Sequence, residues 1–187
     1  MHTWIKILLM VAITTITLFM LVRIIKGYTA RREAVARIQT LPEAIFPSLY
    51  GGMVKLTEYD RSKPVVIKYF HPECDYCRYE AREIAANAPG FSKLQLVMVT
   101  PDDSLQRVKQ FIVGHNLLEV DNIEILIDRN NQFRNVFGRA ILPSAYIYGP
   151  GHTLVKQFMG EASPDAILYL IQNMEKKNTD NHFLNNH

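Results

Sequence analysis

Cysteine is scarce in this 187-residue chain, with two in all. That excludes a disulfide-stapled mini-scaffold and a four-cysteine zinc site. Acid is nearly missing from the first 37 residues, where Glu33 stands alone against Lys6, Arg23, Lys26, Arg31, Arg32 and Arg37. From Ile38 onward there are 15 cations and 17 acids, so the overall charge of +3 belongs to the N-terminal segment. The rest lacks the basic face of a nucleic-acid-binding domain, and no nucleic-acid partner is expected. No tandem repeat occurs at 20–50-residue spacing. Apolar residues make up 48% and charged residues 21%, which suits a chain with a buried core and excludes disordered and collagen-like classes.

One long uncharged run is present, Ile7 to Val22, extended by Trp4 and Ile5 on one side and by Ile24 and Ile25 on the other. About 20 mostly apolar residues span the hydrocarbon core as a helix. The flanking cations and Trp4 suit the interfaces. A cleaved signal peptide is the competing reading, but Gly27-Tyr28-Thr29-Ala30 is a poor cleavage site. Residues 1–26 are therefore expected to be an uncleaved single-pass anchor and residues 27–46 a helical stalk or linker. A folded domain is expected over 47–175, and a frayed, Asn-rich tail over 176–187 that holds no metal. The cations after the anchor would keep the domain in the cytoplasm by the positive-inside rule.

The body alternates strand and helix patterns. Val65–Phe70 reads as a buried strand, Cys74–Ala88 as a helix, Leu94–Val99 as a strand, and Asp102, Asp103 or Ser104 as the cap of a helix running to about His115. Ile123–Ile127 reads as a strand and Asn131–Phe137 as a short helix. Ala145–Tyr148 and Thr153–Phe158 read as a hairpin turned by Gly149-Pro150-Gly151. A last helix is capped by Ser163 with Pro164 at its first position. Such alternation predicts an α/β domain with a mixed central sheet covered on both faces.

Cys74-Asp75-Tyr76-Cys77 falls where a strand gives way to a helix. One helical turn separates the two sulfurs. The first sits at the helix N-terminus, where unpaired N–H groups and the dipole stabilise a thiolate, the attacking species in disulfide exchange. The second can resolve the mixed disulfide. The alternative is a metal site, such as a copper module using both cysteines and His71; a zinc site would need further ligands. Inert structural cysteines are the third reading.

From about Pro47 to Met174 the chain resembles the thioredoxin-like thiol–disulfide oxidoreductases, in their membrane-anchored TlpA-like, or redoxin, branch. The likeness rests on Lys63-Pro64-Val65-Val66-Ile67-Lys68-Tyr69-Phe70, then Pro72-Glu73-Cys74-Asp75-Tyr76-Cys77-Arg78-Tyr79-Glu80. It continues in Ile141-Leu142-Pro143-Ser144-Ala145-Tyr146 and Gly149-Pro150-Gly151-His152. It implies a thioredoxin-like fold and a catalytic, redox-active pair, Cys74 and Cys77. Pro143 would then be cis and face the cysteines, with the Leu142 backbone pairing to an extended substrate. Tyr76, between the cysteines, would either offer the partner apolar contact or merely fill the dipeptide.

Lys68 stands where thioredoxins carry a buried acid, and Glu80 matches a glutamate common in the TlpA-like branch. Two readings follow: a Lys68–Glu80 pair handling protons for Cys77, or a solvent-facing Glu80 with Lys68 at a strand edge. Glu73 and Asp75 flank Cys74, and their charge would oppose a thiolate there. His71 replaces the threonine of peroxiredoxins, which argues against peroxidase activity. The resemblance further implies an extracytoplasmic domain, against the charge bias of the anchor. It also implies protein thiol and disulfide substrates, a membrane thiol electron carrier as partner, and no dissociable cofactor.

Overall fold

The computed structural model describes residues 2–184. Helix α1 runs unbroken over His2–Arg37, so the expected anchor and the helical part of the stalk are one element. Within it Met10–Gly27 is long and apolar enough to cross a membrane, with a mean hydropathy of 1.8, and none of that span is packed against the domain.

The domain is built on a five-stranded sheet in the order β5-β4-β3-β6-β7. Its strands are β3 (Val65–Tyr69), β4 (Gln95–Thr100), β5 (Ile123–Ile127), β6 (Ser144–Tyr148) and β7 (Leu154–Met159). β3, β4 and β5 run parallel, while β6 is antiparallel to both β3 and β7. The side-chain period of two divides β3 between two cores. Val66 packs on one face against Ala81 and Ile84 of α2 (Asp75–Ala86), Val108 and Ile112 of α4 (Leu105–Gly114), and Ile167 of α6 (Pro164–Leu184). The short α3 (Ala88–Phe91) adds Phe91 there. On the other face Val65, Ile67 and Tyr69 pack against Phe133 and Phe137 of α5 (Gln132–Phe137). Tyr69 stacks on Phe133 at 4.1 Å between centroids and donates its hydroxyl to Asp128 Oδ2 at 3.0 Å.

Two boundaries differ from the sequence expectation. Residues 38–46 are part of the domain, because Ile38, Leu41, Ala44 and Phe46 are buried in the second core. Their backbone is also tied down: Leu41 N–H donates to His152 C=O, and Leu154 N–H to Gln39 C=O. Phe46 lies in β1 (Ile45–Pro47), which forms an antiparallel hairpin with β2 (Met53–Lys55). At the other end the backbone of 176–184 continues α6, since neither glycine nor a second proline interrupts that helix. Ser163 caps α6 as expected, its Oγ accepting Ala166 N–H at 3.2 Å. Residues 185–187 of the expected frayed tail lie outside the described residues.

Candidate active site

β3 ends at Tyr69, and the chain turns through His71-Pro72-Glu73 into α2. Cys74 is the N-cap of α2, and its Sγ accepts the Cys77 N–H at 3.4 Å. The turn is closed by Cys74 N–H donating to His71 C=O at 3.0 Å. Both cysteines are thiols, Cys74 partly accessible and Cys77 2% exposed. Burial pushes the Cys77 thiol well above its ordinary range, reinforced by its contact with Cys74. The pair is thus asymmetric: an outer sulfur at a helix N-terminus, and an inner one that keeps its proton.

Lys68 shares the face of β3 that carries Val66 and Phe70, so it points toward α2. Its Nζ lies 2.7 Å from Glu80 Oε2, with side-chain exposures of 1% and 2%. The exposed alternative for these residues therefore does not hold. Glu80 is fixed from a second side, since Ala162 N–H donates to its Oε1 at 2.6 Å. Burial lowers the Lys68 ammonium from its usual range, and the Glu80 carboxylate opposes that shift. The carboxylate answers the lysine's charge, but Nζ makes no hydrogen bond of good geometry. Cys77 lies within electrostatic reach of both groups.

The acids flanking Cys74 are each paired with an arginine, which offsets the repulsion expected from sequence. Arg78 Nη1 lies 3.3 Å from Asp75 Oδ1. Arg107 donates from Nη1 to Glu73 Oε1 at 2.7 Å and from Nε to Asp102 Oδ2 at 2.6 Å. His71 accepts the Glu73 N–H on Nδ1 at 3.2 Å and places Nε2 4.0 Å from Asp102 Oδ2. Its ring is thus engaged within the loop. Among the described residues no group of three or more His, Cys, Asp or Glu side chains is arranged to hold a metal.

The Leu142–Pro143 peptide bond is cis. Pairing of Tyr69 with Ser144 places Pro143 one residue beyond the β3–β6 ladder, at the end of β3 from which the cysteine loop departs. Pro143 is buried, and its C=O accepts Gly160 N–H at 3.0 Å. Leu142 remains exposed, as does Tyr76 at 63% in the first turn of α2.

Sequence reasoning offered Asp102 only as a possible cap of α4, a place the structure gives to Ser104, and missed Arg107. No local pattern marks it, because Arg107 joins Glu73 across 34 positions.

The sequence model of the AhpC/TSA family matches residues 38–157. The thiol-disulfide oxidoreductase ResA of Geobacillus thermodenitrificans is 25% identical over 149 residues, spanning 75% of this chain and 83% of that protein. A secreted Mycobacterium tuberculosis disulfide oxidoreductase has a TM-score of 0.61 at 18% identity, covering 74% of this chain and 98% of its own. A secreted thiol-disulfide isomerase from Corynebacterium glutamicum gives 0.60 at 16% identity, covering 71% and 85%. These structural likenesses show a thioredoxin-like α/β fold.

Proposed function

This chain belongs to the AhpC/TSA family and is a thiol–disulfide oxidoreductase of the redoxin type, and from that premise we propose that it is a membrane-tethered reductase of protein disulfides. The observation that carries the reading is the asymmetry of the dithiol, with Cys74 capping α2 and Cys77 sealed behind it.

The Cys74 thiolate attacks one sulfur of a substrate disulfide, forming a mixed disulfide and releasing the other sulfur as a thiolate. Cys77 then loses its proton and attacks Cys74 Sγ, releasing the second substrate thiolate. Two electrons pass from the dithiol to the substrate, and the protein is left with a Cys74–Cys77 disulfide. Glu80, held by Lys68 and Ala162, takes the Cys77 proton, and the departing thiolates regain protons from the site and solvent. Pro143 and the Leu142 backbone receive an extended substrate segment, and Tyr76 adds apolar contact.

The α1 segment holds the domain at a membrane, on the extracytoplasmic side. The substrates are cysteines of envelope proteins, such as apocytochromes, and a membrane thiol carrier returns the electrons. The test is the reduction potential of the full-length protein in detergent, titrated in dithiothreitol buffers with alkylation and mass readout. A potential near or below about −270 mV supports the reductase. One near about −120 mV makes it an oxidant. Absence of a reversible two-electron couple overturns the reading.

A further inference from the structure

The residue before the outer cysteine is an acid, and one guanidinium answers it. Asp102 lies two residues past the end of β4, and its side chain is 1% exposed. The Asp102 carboxylate is built in: Oδ1 accepts Ser104 N–H at 2.9 Å, and its own N–H donates to Thr100 Oγ1 at 3.2 Å. Arg107, in the first turn of α4, grips this carboxylate through Nε at 2.6 Å and Nη2 at 3.3 Å. That leaves Nη1 pointing at Glu73 Oε1, 2.7 Å away. Only a planar, branched cation can hold two carboxylates in this way, since a lysine offers a single point charge. Glu73 is tied at its other end by its N–H bond to His71. Arg78 Nε fixes the middle of the same loop by donating to Pro72 C=O at 2.8 Å.

We propose that Arg107 is a positioning residue for the reaction of Cys74: anchored on the buried Asp102, it cancels the Glu73 charge beside the nucleophile and fixes the loop that presents it. The inference rests on Cys74 being the attacking thiol. Next to Cys74 in the chain stand Glu73 and Asp75, the latter paired with Arg78; Cys77 donates its N–H to Cys74 Sγ; His71 lies in the same loop; and Arg107, in the first turn of α4, joins Glu73 to Asp102. Lys68 and Glu80 lie behind Cys77. Arg107 is the cation that reaches Glu73. Without it a carboxylate beside Cys74 is left unpaired, and the thiolate is disfavoured.

The test is iodoacetamide alkylation of Cys74 from pH 5 to 9 in full-length protein carrying Cys77→Ser, with peptide mass readout. Arg107→Ala is expected to slow alkylation at pH 7 by about threefold to tenfold and to move the profile to higher pH. Adding Glu73→Gln is expected to return the profile to within about twofold of the parent, since the uncompensated charge is gone. A merely structural arginine would not be rescued by that change. Should Arg107→Ala fail to fold, Arg107→Lys keeps a cation on Asp102, gives up the second branch, and carries the same direction and the same rescue. An unchanged profile, or a shift that Glu73→Gln leaves in place, overturns the proposal. The readout is the thiol itself and needs no turnover, so a reduction potential that refutes the reductase reading leaves this result interpretable.

Discussion

Lys68 on β3 and Glu80 on α2 meet at 2.7 Å with both side chains out of reach of water. Such a pair is costly to assemble, because each ion gives up its hydration, and costly to break, because the survivor keeps a buried charge. The only buried ion pair among the described residues thus lies within electrostatic reach of the buried Cys77 thiol.

Removing one member should therefore hurt more than removing both charges. Lys68→Met is expected to cost about 3–5 kcal/mol in urea unfolding, since it leaves the Glu80 carboxylate buried and unanswered. Lys68→Met with Glu80→Gln is expected to recover most of that loss, because the amide oxygen still accepts the Ala162 N–H. A double variant as unstable as Lys68→Met alone would contradict this account.

Glu80→Gln keeps the side-chain volume and the acceptor for Ala162 N–H, removes the base, and leaves Lys68 unanswered, so it is read only in protein shown to be folded. The resolving step at pH 7 is expected to slow by a factor on the order of 10², the smaller end of general-base effects, and to regain speed as pH rises. Stopped-flow exchange with a disulfide peptide over pH 5–9 reads this. An unchanged pH profile eliminates Glu80 as the proton acceptor.

The raised Cys77 thiol has a consequence for stability. Its folded value lies above its unfolded one, so above about pH 8.5 the unfolded chain sheds this proton while the folded chain keeps it. The contribution is fully present below that pH and is lost as pH rises, at up to about 1.4 kcal/mol per unit. Comparing Cys74→Ser with Cys74→Ser/Cys77→Ser isolates it, because Lys68 and the buried tyrosines are common to both. The single variant should lose urea stability faster between pH 8 and 10, and parallel curves would refute the assignment.

Local signals carried much of the reading. Val65–Phe70 as a strand, found at Val65–Tyr69, Cys74 at the mouth of α2 and the Ser163-Pro164 start of α6 each rest on residues close together in the chain. The β1–β2 hairpin was illegible because three-residue strands show no usable period. The domain start at Ile38 was hidden for a related reason: Ile38, Leu41 and Phe46 look like linker residues until β7 and α5 are there to bury them.

The sequence by itself determined where the two sulfurs stand, since C-x-x-C spacing and helix capping are properties of a few adjacent residues. Only the tertiary structure decided what surrounds those atoms. Whether Lys68 faces water or Glu80 depends on which face of β3 α2 covers. Whether Glu73 burdens Cys74 depends on an arginine 34 residues away. Charge acts through space, and sequence distance carries no information about it until the sheet and helices have closed.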